Sequence, residues 1–76
     1  MKYAAADFGN ELYAELDRGY DSVRISRWAM ATYMQHSGFT DALLDIEIMR
    51  IVAMEEGPEF ELTEEQLREI AQRLIG

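Results

Sequence analysis

The chain contains no cysteine, one proline, one histidine and only seven basic residues against fifteen acids. Each scarcity excludes something. Without cysteine there is no disulfide staple, no thiol nucleophile and no thiolate metal site. A single histidine, His36, has no partner at ligand spacing, so a histidine-based metal or catalytic centre is not expected. The shortage of lysine and arginine leaves a net charge of −8. Nucleic-acid binding is driven by basic groups that release counterions, so direct DNA or RNA binding is disfavoured. Anionic membrane surfaces are disfavoured on the same ground. No apolar run approaches the roughly 20 residues needed to span a bilayer. The apolar stretch 8–16 is interrupted by Asn10, Glu11 and Glu15, unlike a secretion signal. A cytoplasmic protein is the expectation.

Seventy-six residues make one domain, 1–76, with a modest core. Stability of about 5 kcal/mol is expected for a chain of this size. The charge is uneven: residues 39–76 carry ten acids against three bases. Between Glu55 and Glu65 there are six carboxylates and no base.

Periodicity predicts four helices. The first, over 4–17, repeats Phe8, Leu12 and Leu16 on one face. Asp7, Glu11 and Glu15 form an acidic stripe on another face, which calls for water or cations. Gly19 is placed to end this helix in a left-handed conformation. The second helix starts at Asp21 or Ser22, with Asp21 as N-cap and Tyr20 and Ile25 as a hydrophobic staple, and reaches residue 37. Ile25, Trp28, Ala29 and Thr32 define its face. The third, over 41–56, takes Thr40 as N-cap with Phe39 and Leu44 as its staple, and is apolar around most of its circumference. Such a helix is central or lies at an oligomer interface. Gly57-Pro58 stops it.

Glu59 to Leu62 alternate charged and apolar side chains. This reads as an extended linker with Phe60 and Leu62 turned inward. The fourth helix opens on a capping box, Thr63 with Gln66, and a staple, Leu62 with Leu67. Its buried face is Leu67, Ile70, Ala71 and Leu74. The expected fold class is therefore all-α: a compact four-helix domain with short connections and an apolar central third helix.

No enzyme signature accompanies this frame. Ser22, Ser26 and Ser37 have no evident base, and there is no glycine-rich phosphate loop. Asp17 and Asp21 flank Gly19 without the calcium-loop pattern. The opening of helix four resembles the first helix of calmodulin-like proteins, but through a generic capping box. Catalytic residues, metal and cofactor are all expected to be none. Arg24 and Arg27 near Trp28 and Tyr33 are a weak nucleic-acid footprint, better explained by ion pairs with acids of neighbouring helices. The four tyrosines exceed what so small a core needs. They suit either a binding surface or a rim with hydroxyls in water.

Residues 54–67, MEEGPEFELTEEQL, resemble a stretch found in small acidic bacterial proteins of uncharacterised type. In size, charge and helix order the chain also resembles helical immunity proteins that protect bacteria from their own toxins. The resemblance covers about half the chain. It implies a non-enzymatic protein that binds a basic toxin domain, with no catalytic residue to carry over.

The expected function is thus an acidic binding module that neutralises or regulates a basic protein partner, of immunity, antitoxin or phage-inhibitor type. The expected surface is Glu55, Glu56, Glu59, Glu61 and Glu64, with Phe60 as anchor. Glu64 and Glu65 open helix four, where the dipole favours acids. The four acids before Thr63 have no such local explanation. The alternative is a structural homo-oligomer, a homodimer for instance, that buries the third helix or the aromatic surface between subunits.

Overall fold

In a computed structural model, the described residues are 3–36 and 42–76. They form α1 (Ala5–Asp17), α2 (Ser22–Gln35), α3 (Ala42–Val52) and α4 (Glu64–Ile75). Two 3-10 turns, Ala53–Glu56 and Pro58–Phe60, lie between α3 and α4. The all-α architecture of four helices with short connections is what the sequence pattern predicts. The Phe39 and Thr40 cap expected for α3 lies outside the described residues.

The helix ends follow from local chemistry. The Asp7 carboxylate accepts a hydrogen bond from the Ala4 N–H at 3.0 Å, capping α1. Gly19, at φ 114°, takes the left-handed conformation and donates its N–H to the Leu16 carbonyl. The Asp21 carboxylate accepts from the Arg24 N–H at 3.1 Å. On α4 the box closes in both directions. Gln66 N–H donates to Thr63 Oγ1 at 3.1 Å, and Thr63 N–H donates to Gln66 Oε1 at 2.8 Å. The third helix stops four residues earlier than its periodicity suggests. Its last turn tightens to 3-10 geometry over Ala53–Glu56, because Pro58 cannot supply an N–H to continue the ladder.

The helices pack as two pairs, α1 with α4 and α2 with α3 and its 3-10 extension. The α1–α4 pair runs antiparallel: Gly9 lies against Ala71 and Ile75, Tyr13 against Arg68, and Asp17 bonds Arg68. At the crossing, a Cβ on Gly9 would stand 2.8 Å from the Ala71 carbonyl oxygen. Glycine therefore sets how closely the two helices approach. The core gathers Phe8, Leu12, Leu16, Ile25, Ala29, Leu44, Ile48, Ile51, Met54, Leu67, Ile70 and Ala71 from all four helices. Phe8 is fully buried and stacks on the half-buried Trp28, ring centroids 4.8 Å apart.

The third helix is less enclosed than a nearly all-round apolar sequence predicts. Leu44, Ile48 and Ile51 face the core, but Leu43, Ile46 and Met49 are 76%, 56% and 39% exposed. It pairs chiefly with α2 and meets α4 through the Glu47–Arg73 ion pair, so part of its surface stays open.

Three of the four tyrosine hydroxyls, those of Tyr3, Tyr13 and Tyr20, bond within the fold. Tyr13 bonds the Arg68 carbonyl and Tyr20 the Leu62 carbonyl, each joining elements far apart in sequence. Tyr3 donates to Glu11 Oε2 at 2.7 Å and stacks on His36 at 3.9 Å. His36 is therefore held in a structural contact at the end of α2. Burial, and then the bond to Glu11, push the Tyr3 hydroxyl well above the ordinary tyrosine pKa of 10. Below pH 10, folded and unfolded chains both hold this proton and its contribution is complete. Above pH 10 the unfolded chain releases it while the folded chain retains it, so stability falls as pH climbs. In urea denaturation between pH 8 and 11.5, Tyr3→Phe is expected to lose less stability than the unsubstituted chain. Equal slopes would remove Tyr3 as the cause.

Candidate functional site

The acidic run is divided by its partners. Arg27 Nε bonds Glu55 Oε1 at 3.0 Å, linking α2 to the turn after α3. Arg68 bonds Glu64 one helical turn earlier, at 3.0 Å, and also Asp17. Glu55 therefore helps join two elements, while Glu64 is engaged within its own helix by Arg68, the arginine that also reaches Asp17 of α1. Both pairs are substantially exposed, so each contributes little stability. The hydrogen bonds to Glu64 and Asp17 raise the Arg68 guanidinium above its usual pKa, so it stays charged.

Glu56, Glu59 and Glu61 are exposed and form no ion pair with any described residue. Phe60 stands between the last two. Its alternation with Leu62 predicts that both turn inward. Leu62 does, packing against the core, while Phe60 is 49% exposed. The reason is local. Pro58–Phe60 is a 3-10 turn, with the Phe60 N–H bonded to the Gly57 carbonyl. A period of three replaces the period of two, so Phe60 and Leu62 no longer share a face.

What holds this projecting turn in place was not read from the sequence. The Leu62 N–H donates to Met54 Sδ at 3.3 Å, and the Tyr20 hydroxyl donates to the Leu62 carbonyl. Both bonds fix the strand-like residues just after Phe60. Beside them lies a shallow pocket of about 450 Å³ lined by Tyr20, Glu61, Leu62, Thr63 and Glu64. Burial and the nearby Glu61 carboxylate raise the Tyr20 pKa. An aromatic ring beside two carboxylates is a favourable setting for a cationic side chain.

Among the described residues Glu65 and Glu69, both exposed on α4, likewise form no ion pair, whereas the acids of α1 are occupied. The stripe Asp7, Glu11 and Glu15 meets its needs internally: Asp7 caps α1, Glu11 receives Tyr3, and Glu15 bonds Arg18 and Arg24. Arg24 also donates to the Glu15 and Gly19 carbonyls at 2.6 and 2.9 Å, at the negative end of the α1 dipole. All the described arginines join acids, as the ion-pair reading of Arg24 and Arg27 expects. Among the described residues, no group of three or more His, Asp or Glu is placed to hold a metal ion. No helix among them is long and apolar enough to cross a membrane.

No protein-family model, no curated protein and no solved structure matches this chain significantly.

Proposed function

We propose that this chain is a non-enzymatic binding module that holds a basic protein partner against the surface formed by Glu56, Glu59, Phe60 and Glu61. The observation that carries the reading is Phe60: a large aromatic ring, half exposed on a braced turn, flanked by carboxylates with no ion pair among the described residues. Charge steers the partner, and burial of the ring then slows its departure. Complementary charge raises association rates by about 10–10³-fold and makes them salt-sensitive. An aromatic anchor inside a polar rim is the usual composition of a binding hot spot. Neutralisation of a basic toxin, or inhibition of a basic nucleic-acid-binding protein, is the kind of activity that would result.

The test begins with salt-eluted capture from the native host, to isolate one basic partner. Surface plasmon resonance then compares variants against it. Reversing Glu56, Glu59 and Glu61 to lysine is expected to lower the association rate by about 10–10³-fold. Phe60→Ala is expected to raise the dissociation rate by about tenfold or more, since a hot-spot truncation costs roughly 2 kcal/mol. Glu65→Lys, in the first turn of α4, serves as the control. An unchanged affinity in the triple variant would remove this surface from the reading.

A further inference from the structure

The outward face of α3 carries a second surface, unrelated to the acidic turn. Ala42, Ile46, Met49 and Ala53 follow one another at spacings of four, three and four, directly opposite the buried Leu44, Ile48 and Ile51. That spacing matches the a/d pattern of a two-stranded coiled coil, with Ile46 at an a position, Ala42 and Met49 at d, and Ala53, the first residue of the 3-10 turn, closing the stripe at the next a. Ile46, Met49 and Ala53 line one depression, with Asp45 and Arg50 on its two sides. We propose that this face is the seam of a parallel homodimer, in which α3 of one copy lies against α3 of a second.

Three observations select a second copy. The first is charge. The chain carries −8 overall, so two copies repel across most approaches. Along α3 the charges balance, Asp45 and Glu47 against Arg50 and, from α4, Arg73, and Glu56, one 3-10 turn beyond Ala53, is a further acid at the end of the stripe. Glu47 is already bonded by both arginines, at 3.4 and 3.5 Å. A basic partner gains nothing here, and a like-charged copy meets least repulsion. The second is shape. Alanine at both ends lets the helix axes approach, and β-branched Ile46 at an a position favours two strands.

The third observation sets direction. Asp45 occupies a g position and Arg50 an e position, five residues later. In a parallel pair a g residue faces the partner's e residue five positions on, so two Asp45–Arg50 pairs form across the dyad. In an antiparallel pair, e faces e and g faces g. Arg50 would then meet Leu43, and Asp45 would meet Val52, with no attraction. Asp45 is already engaged within its own chain, and a carboxylate has capacity for a further bond. The seam spans twelve residues, about 18 Å. An interface that short lies at the weak end of the range, with an expected Kd on the order of 10 µM.

Sedimentation velocity from 2 to 500 µM tests the association. A monomer–dimer equilibrium is expected, and Ile46→Asp is expected to abolish it. Ile46 is 56% exposed, so the far-UV circular dichroism of that variant should match the parent. Because the copies repel, raising NaCl from 50 to 500 mM should tighten the dimer, opposite to its effect on a basic partner. A monomer at every concentration, or an Ile46→Asp variant that dimerises as well as its parent, overturns the proposal. Direction is read with Ala42→Cys, the only thiol in such a chain. Parallel helices place the two substituted positions together, and oxidation is expected to link them. Antiparallel helices hold them about 16 Å apart, well beyond disulfide reach. Failure of Ala42→Cys to link in a solution that is dimeric by sedimentation overturns the parallel arrangement.

Discussion

Phe8→Ala is expected to leave much of the chain unfolded at 25 °C. Phe8 has no exposed surface and sits where α1 meets the rest of the core, its ring against Trp28. Truncating a buried phenylalanine costs about 3–5 kcal/mol, the sum of lost transfer energy and an unfilled cavity. The whole domain is expected to hold only about 5 kcal/mol. The substitution therefore removes most of the margin, where the same change in a large protein would be tolerated. Trp28, the only tryptophan, reports the result directly. Its emission should shift to the red in buffer, and the urea transition should move toward zero denaturant. Phe8→Leu keeps most of the volume and should lie between parent and alanine variant. A Phe8→Ala chain with an unaltered urea midpoint would mean that the ring is not part of a packed core.

The second large effect arises at a residue with no side chain. Gly9→Leu is expected to cost more than 3 kcal/mol, and Gly9→Ala about 1–2 kcal/mol, by overpacking. In isolation alanine would favour the helix by about 1 kcal/mol. Here the added Cβ meets the Ala71 carbonyl oxygen at 2.8 Å and Ile75 Cγ1 at 2.8 Å. The isoleucine carbon can rotate away. The carbonyl belongs to the α4 backbone and moves only if the whole helix does. The clash therefore exceeds the propensity gain, and the α1–α4 pair must separate to relieve it. Urea midpoints for Gly9→Ala and Gly9→Leu measure both steps. If Gly9→Ala were more stable than its parent, the helices would be free to part at little cost.

These two positions show which parts of the fold could be read in advance. Phe8 was visible because its spacing from Leu12 and Leu16 is a local pattern. The same holds for the Asp21 cap, the Gly19 turn and the Thr63–Gln66 box, each decided within a few residues. Gly9 was not visible, because a glycine inside a helix looks like a weakness until the neighbouring backbone is known. The partners of Tyr13 and Tyr20, 55 and 42 residues away, were beyond reach for the same reason. The acidic run was plain in the sequence, but its division was not. Arg27 takes Glu55 from 28 positions away. The outward turn of Phe60 depends on a 3-10 segment that replaces the alternation expected between Glu59 and Leu62. The apolar circumference of α3 suggested either enclosure or an interface. Only the bare Leu43, Ile46 and Met49 show that enclosure is incomplete.

The pairing of α1 with α4 also bears on how the chain is made. Synthesis delivers α1 first and α4 last of the four helices. Until the residues around Leu67, Ile70 and Ala71 emerge, the Gly9 side of α1 lacks its partner helix, and only contacts such as Phe8 on Trp28 of α2 are within reach. The α2–α3 pair forms from neighbouring segments, whereas the α1–α4 pair cannot close until α4 has been made. The acids of α1 keep that waiting helix soluble, and a stalled chain lacking α4 would present its apolar face to chaperones and proteases instead.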